Sequence, residues 1–163
     1  MNSSDERSGF TTWQTITLVL LRILIGWHFL YEGVIKLFDN EWSSYGYLMD
    51  SNGLFSGIFY SLASNERIIQ IIDLMNIWGL ILIGVGLMLG LFARFSLISG
   101  IVLLSLYYVS HPPLANYDYL LPREGNYLIV DKNLVEIFAM IVLLFFPTSH
   151  IIGVDRLINK INK

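Results

Sequence analysis

Long apolar runs separated by short polar stretches divide the chain. They cover residues 13–38, 68–92, 95–110 and 132–147. A membrane-spanning helix needs roughly 20 mostly apolar residues. The first two runs meet that length, and the last two reach it by drawing in flanking residues such as Tyr107, Tyr108 and Val130. The breaks have local causes. His111-Pro112-Pro113 and Phe146-Pro147 end the third and fourth runs, because proline lacks an N–H and pushes the residue before it out of helix. Ala93-Arg94 allows only a tight turn between the second and third runs, which makes them antiparallel neighbours. The pattern predicts one all-α membrane domain over residues 1–163, a four-helix bundle. Two long connections remain, 39–67 and 112–133. The first carries Trp42, Tyr45, Tyr47, Leu48, Phe55, Phe59 and Tyr60, too aromatic for a solvated loop. It reads as interfacial helices or a cap over one end of the bundle.

Composition supports this picture. Of 163 residues, 55% are hydrophobic and 14% are charged, against about 25% charged in soluble domains. The lipid bilayer is therefore the expected surroundings. A net charge of −3 offers no basic patch for a nucleic acid. The chain has no cysteine, which excludes disulfides, thiolate nucleophiles and Cys-ligated metals. The polar start, with Asp5, Glu6 and Arg7, does not resemble a secretory signal, so the first apolar run reads as a retained helix. Four spans put both termini on one side. That side holds Arg7, Arg22, Arg94, Arg156, Lys160 and Lys163, and the other holds Lys36, Arg67, Arg123 and Lys132. The second side is richer in acids: Asp39, Glu41, Asp50, Glu66, Asp118, Glu124 and Asp131. Positive charge marks the cytoplasmic face, so the termini are expected in the cytoplasm and the long aromatic-rich loops outside it.

The chemistry concentrates in the first helix. His28, Glu32 and Lys36 are spaced i, i+4, i+8; at about 100° per residue they form one stripe, with Arg22 at its edge. Gly26 and Gly33 lie beside it, where small residues let a neighbouring helix come close. Ionisable groups within a span usually face the interior and mark a functional path. On that reading His28, Glu32 and Lys36 are the catalytic candidates, His28 being suited to proton transfer near neutral pH. The alternative is that Arg22 and Lys36 snorkel to the two interfaces while Glu32 pairs with one of them. Asp73, Asn76 and Glu136 are candidate ligand-binding groups on the second and fourth helices; the two acids read equally well as partners of helix N-termini. Trp42 and His111 could line an entrance above the stripe or belong to an interfacial aromatic belt. The paired Glu-x-x-His motifs of carboxylate-bridged metal bundles are missing, so no metal is expected. Gly79, Gly86 and Gly90 read as a packing surface within the bundle or between protomers.

Several stretches resemble one family. "LRILIGWHFLYEGVIKLF" is similar to the first helix of the DoxX/DoxD-like membrane proteins, and "EWSSYGYL" with "GLFSGIFYSLA" to the long first loop of the DoxD branch. "HPPL" and "EGNYLIVDKNLVEIFAMIVLLFFPTSHIIGVDRL" resemble the region from the third helix to the tail. The order and spacing of these stretches carry the likeness, from about Thr17 to Leu157. The resemblance implies a four-helix bundle in the bacterial cytoplasmic membrane. Arg22, Gly33, Lys36 and Glu136 match the family pattern. The DoxD branch is associated with thiosulfate:quinone oxidoreductase, which implies a quinone cofactor and a partner subunit. Without cysteine the chain cannot form a thiol-linked sulfur intermediate itself. Two functions therefore stand as expectations. One is a redox subunit meeting quinone at the polar stripe. The other is a non-enzymatic membrane partner or assembly factor, docking another protein or a second copy of itself.

Overall fold

The protein is described from a computed structural model, which covers residues 10–113 and 128–161. Arg7, Asp118, Arg123, Glu124 and Lys163, used above for orientation, lie outside the described residues, as does most of the second long connection. Within them the chain is all-α. The helices are α1 (Thr12–Phe38), α2 (Tyr45–Met49), α3 (Ser56–Ala63), α4 (Glu66–Leu89), α5 (Ala93–Ser110), α6 (Lys132–Phe145) and α7 (Val154–Ile161).

Three of these, α1, α4 and α5, are long and apolar enough to cross a membrane. Their apolar side chains largely point outward: Leu24, Met75, Leu82 and Phe95 are all well exposed. Water would not tolerate so much exposed apolar surface on a monomer, whereas lipid tails match it. The chain is an integral membrane protein with three candidate spans. α6 has 14 residues, about 21 Å of helix. It joins α1, α4 and α5 around one core, to which they contribute Phe29, Leu87, Leu97, Met140 and Leu143 among others.

Caps set the helix ends. Thr11 and Gln14 form a capping box at the start of α1, and the Asn65 and Asp131 side chains accept N–H groups at the starts of α4 and α6. The turn between α4 and α5 uses residues 90–92, so Ala93 and Arg94 already belong to α5. Gly90 closes α4 at φ +64°, a left-handed conformation open to glycine at little cost. Phe10 packs edge-on against Phe146, ring centroids 6.0 Å apart. The start of α1 and the end of α6 therefore share one end of the molecule. That end also holds the α4–α5 turn, whose Gly90 carbonyl accepts from the N–H of Asp155 at 2.9 Å. The opposite end carries the cap formed by α2 and α3.

α1 and α4 make the most extensive helix contact, and glycine makes it possible. A Cβ on Gly84 would fall 2.7 Å from the Gly26 carbonyl oxygen, and one on Gly33 would fall 2.8 Å from Ile81 Cγ1. The other glycines do not form one surface: Gly86 packs inward on Ser96, Gly90 is the helix stop, and Gly79 faces open space. Gly84→Ala must push the α1 and α4 backbones apart, an overpacking expected to destabilise by about 1–3 kcal/mol. Gly79→Ala meets nothing and gains helix propensity, a change of roughly 0.5–1 kcal/mol in the other direction. Thermal unfolding of the two variants in detergent should therefore move in opposite directions; equal shifts would contradict the close crossing.

Candidate functional site

The ionisable stripe of α1 opens into a cavity of about 530 Å³ at the capped end. His28, Phe29, Glu32 and Lys36 of α1 form one wall. Asn76 and Leu80 of α4, Leu104 and Tyr107 of α5, and Lys132 and Asn133 of α6 form the others. Trp42, Ser43, Ser44 and Tyr47 close it from the cap.

Lys36 turns inward. Its ammonium donates to Asn76 Oδ1 at 3.1 Å and lies 4.9 Å from the Trp42 ring centroid and 5.7 Å from that of Tyr107, distances at which a cation is attracted to an aromatic face. Asn76 in turn donates to the Tyr107 hydroxyl. Tyr107 meets Tyr47 edge-on, with centroids 5.8 Å apart. The Tyr47 hydroxyl donates to the Tyr107 carbonyl at 3.2 Å. A polar chain thus runs from Lys36 across α4 to α5 and up to the cap.

Glu32 lines the cavity. Neither hydrogen bond nor ion pair engages its carboxylate among the described residues. The sequence left open a Glu32 pair with Lys36 or Arg22; the structure has neither. His28 Nδ1 lies 2.9 and 3.0 Å from the two carboxylate oxygens of Glu136. This contact spans α1 and α6. The His28 side chain is 41% exposed and that of Glu136 only 12%.

Glu136 and three other candidates lie outside the cavity lining. Asp73 fastens the loop below α2: it accepts from the Ser44 N–H at 2.7 Å and from the Ser43 hydroxyl at 3.0 Å. His111 is buried. Its Nδ1 is 3.0 Å from Ser110 Oγ, its Nε2 is 3.8 Å from Asp50 Oδ2, and its ring lies 4.0 Å from that of Tyr47. It supports Tyr47 from behind. Arg22 sits at the far end of α1, six residues before His28, which is about 9 Å along the axis. Only 3% exposed, it donates to Thr148 Oγ1 at 3.0 Å and to the Ile152 carbonyl at 2.8 Å. It clamps the segment leading into α7, whose Asp155 accepts from the Phe92 and Ala93 N–H groups at 2.8 and 3.2 Å.

The sequence reading did not single out Tyr107, Lys132 or Asn133 as site residues. Tyr107 carried a usable signal. Its hydroxyl is a polar group near the end of a span, and a buried tyrosine hydroxyl usually finds a partner. Among the described residues no three His, Asp or Glu side chains come together in a way that could hold a metal ion.

The DoxX family model matches residues 17–111, a stretch that holds most of α1, all of α2 to α5 and every cavity residue except those of α6. Nothing among curated proteins or solved structures matches the chain.

The His28–Glu136 contact is the polar tie between α1 and α6. Hydrogen bonds between membrane helices couple by about 0.6 kcal/mol on average and up to about 1.7 kcal/mol. A double-mutant cycle with His28→Ala and Glu136→Ala, read by unfolding in detergent, should give a coupling toward the upper end of that range. Strictly additive effects would show that the contact is idle.

Proposed function

The chain belongs to the DoxX family, and from that footing we propose that it is the membrane subunit of a redox system that binds the head of a lipid quinone in the capped cavity. One observation carries the reading: an acid and an ammonium, one helical turn apart in a membrane-spanning helix, both face a cavity and do not pair with each other. If the two were purely structural they would be expected to neutralise one another, because a lone intramembrane charge is expensive.

The lining suits a flat ring with hydrogen-bond acceptors at its edge. Trp42, Tyr47, Tyr107 and Phe29 supply aromatic and apolar surface, and Lys36 and Asn76 supply donors. A volume of about 530 Å³ falls among small-molecule sites, which span roughly 300–1,000 Å³. A bound quinone supplies an acceptor for two electrons and two protons. On this reading Lys36, held between Asn76 and the two rings, orients the head and offsets developing negative charge. Glu32 lines the cavity, and its carboxylate relays a proton to the head. His28 and Glu136 share a second proton across the α1–α6 contact, behind Glu32. The electrons come from a partner subunit, since the chain has no cysteine for thiol-based sulfur chemistry.

The same proposal places α1, α4, α5 and α6 as a four-helix bundle in the bacterial cytoplasmic membrane, with termini in the cytoplasm and the cap outside. The exposed charges support it. Arg94, Arg156 and Lys160 flank the end with the termini, while at the cap the acids Asp39, Glu41 and Glu66 outweigh Arg67 and Lys132, the direction expected when cations stay inside.

A second reading, a non-enzymatic partner or assembly factor, is favoured by the face of α4. Gly79 is open between exposed Met75 and Leu82, a small-residue notch of the kind that receives another helix.

Adding a soluble-headed quinone to the full chain in lipid nanodiscs should raise its unfolding temperature. Glu32→Gln should abolish the rise, and Glu66→Gln, on the exposed start of α4, should keep it. No rise with the wild type, together with recovery of a stable membrane complex through the α4 face, would replace the quinone reading with the second one.

A further inference from the structure

The cavity is closed from above by the cap, yet it is not closed on all sides. α6 runs antiparallel to α1, as the Phe10–Phe146 contact at the other end requires. Glu136 is level with His28. Lys132, the first residue of α6, is four residues earlier and so lies about level with Glu32. α1 continues six residues beyond Glu32, to Phe38, about 9 Å further. Along that length α6 gives α1 no helical neighbour. The chain just before α6 leads the other way: the Tyr108 hydroxyl on α5 donates to the Ile129 carbonyl at 2.7 Å. α1 and α6 also touch far less extensively than α1 and α4 or α5 and α6. The half-exposed His28 at this gap is a polar group of a spanning helix that the described residues leave partly uncovered.

We infer that the gap between the last two turns of α1 and the start of α6 is a lateral portal, through which a membrane-borne amphiphile inserts its head into the cavity while its apolar tail stays in lipid. The nature of the head rests on the quinone reading. The route rests on the late start of α6, the diversion of residues 128–130 toward α5, and the exposure of His28. Ile35 marks the rim: it is seven residues beyond His28, hence within about 20° of it around α1, and it is 48% exposed. The His28–Glu136 contact forms the sill below.

The absence of cysteine allows a clean test on the full chain in nanodiscs. Ile35→Cys is labelled with a bulky maleimide, and Leu82→Cys, on the exposed face of α4, is labelled as the control. Two probes are used, a benzoquinone with a decyl tail and the same head without a tail, with binding followed by quenching of tryptophan fluorescence. The label at position 35 should slow association of the tailed probe about tenfold or more, within the span that on-rates of related complexes cover. It should slow the tailless probe as well, since the cap closes the cavity from above, and the label at position 82 should affect neither. No slowing of the tailed probe, or the same slowing from position 82, would overturn the portal. If the unlabelled variants and the wild type bind neither probe, the quinone reading itself fails, an outcome distinct from binding that the label leaves untouched.

Discussion

The contact on which the rest depends is the glycine crossing of α1 and α4. Gly26 and Gly33 on one side and Gly84 on the other bring the two backbones to a separation at which no Cβ fits. That fixes the rotation of α1 about its own axis. With the glycine edge against α4, the opposite edge, including Leu24, Tyr31 and Ile35, faces lipid. The His28, Glu32 and Lys36 stripe falls between the two edges, turned toward the space shared with α5 and α6. A wider contact through leucines would leave that rotation free, and the three ionisable groups could then drift toward lipid, where each is costly. Packing of small residues thus decides where the charges go.

The cap follows from the same placement. It is tied chiefly to α4 and α5. Asp73 holds the Ser43–Ser44 loop, Tyr47 bonds to Tyr107, and the Ser51 hydroxyl donates to the Ser110 carbonyl at 2.8 Å. A Cβ on Gly53 would collide with the Val109 carbonyl, so the cap backbone lies directly on the end of α5. α1 meets this roof through the Lys36 ammonium and the Trp42 ring. The roof is therefore fixed chiefly to helices that do not carry the stripe, while α6 lends the α1 side of the cavity little support. That asymmetry matches the sparse α1–α6 contact.

The helices and the stripe could be read from the sequence because both are periodic and apolar: runs long enough to span, and three ionisable residues at a helical repeat. Depth could not be read the same way. Periodicity gives an angle around the axis, so Arg22 shares an edge with the stripe yet belongs to a different site about 9 Å away. Asp73 and His111 show a second limit. Their residue types suggest ligands, but their partners are loop backbone, Ser110 and Asp50, fixed by a tertiary fold that local pattern does not encode. Tyr47 joins Tyr107 across sixty residues, and nothing in either neighbourhood announces the meeting. The three-glycine grouping of Gly79, Gly86 and Gly90 dissolves for a related reason, since equal residue type hides three different surroundings.

The two ends of α1 treat buried charge in opposite ways, and the contrast bears on what each is for. At the end with the termini, Arg22 is enclosed and directs its guanidinium at two neutral oxygens, with the Asp155 carboxylate as counter-charge. Every element around it is gripped by the arrangement: α1, the α4–α5 turn and the start of α7. Removing either partner of such a cluster is strongly destabilising, so it acts as a lock. At the capped end, Lys36 rests on an amide and two aromatic rings, and Glu32 makes no hydrogen bond or close ion pair among the described residues, its charge reaching Lys36 and His28 only at longer range. These groups stabilise little by contact with each other, and their position beside a cavity leaves them available to something that enters it. A structural role explains the first end completely. It does not account for the second, where two opposite charges one turn apart attract each other without closing into a salt bridge and stand beside a cavity, the arrangement on which the proposed quinone site rests.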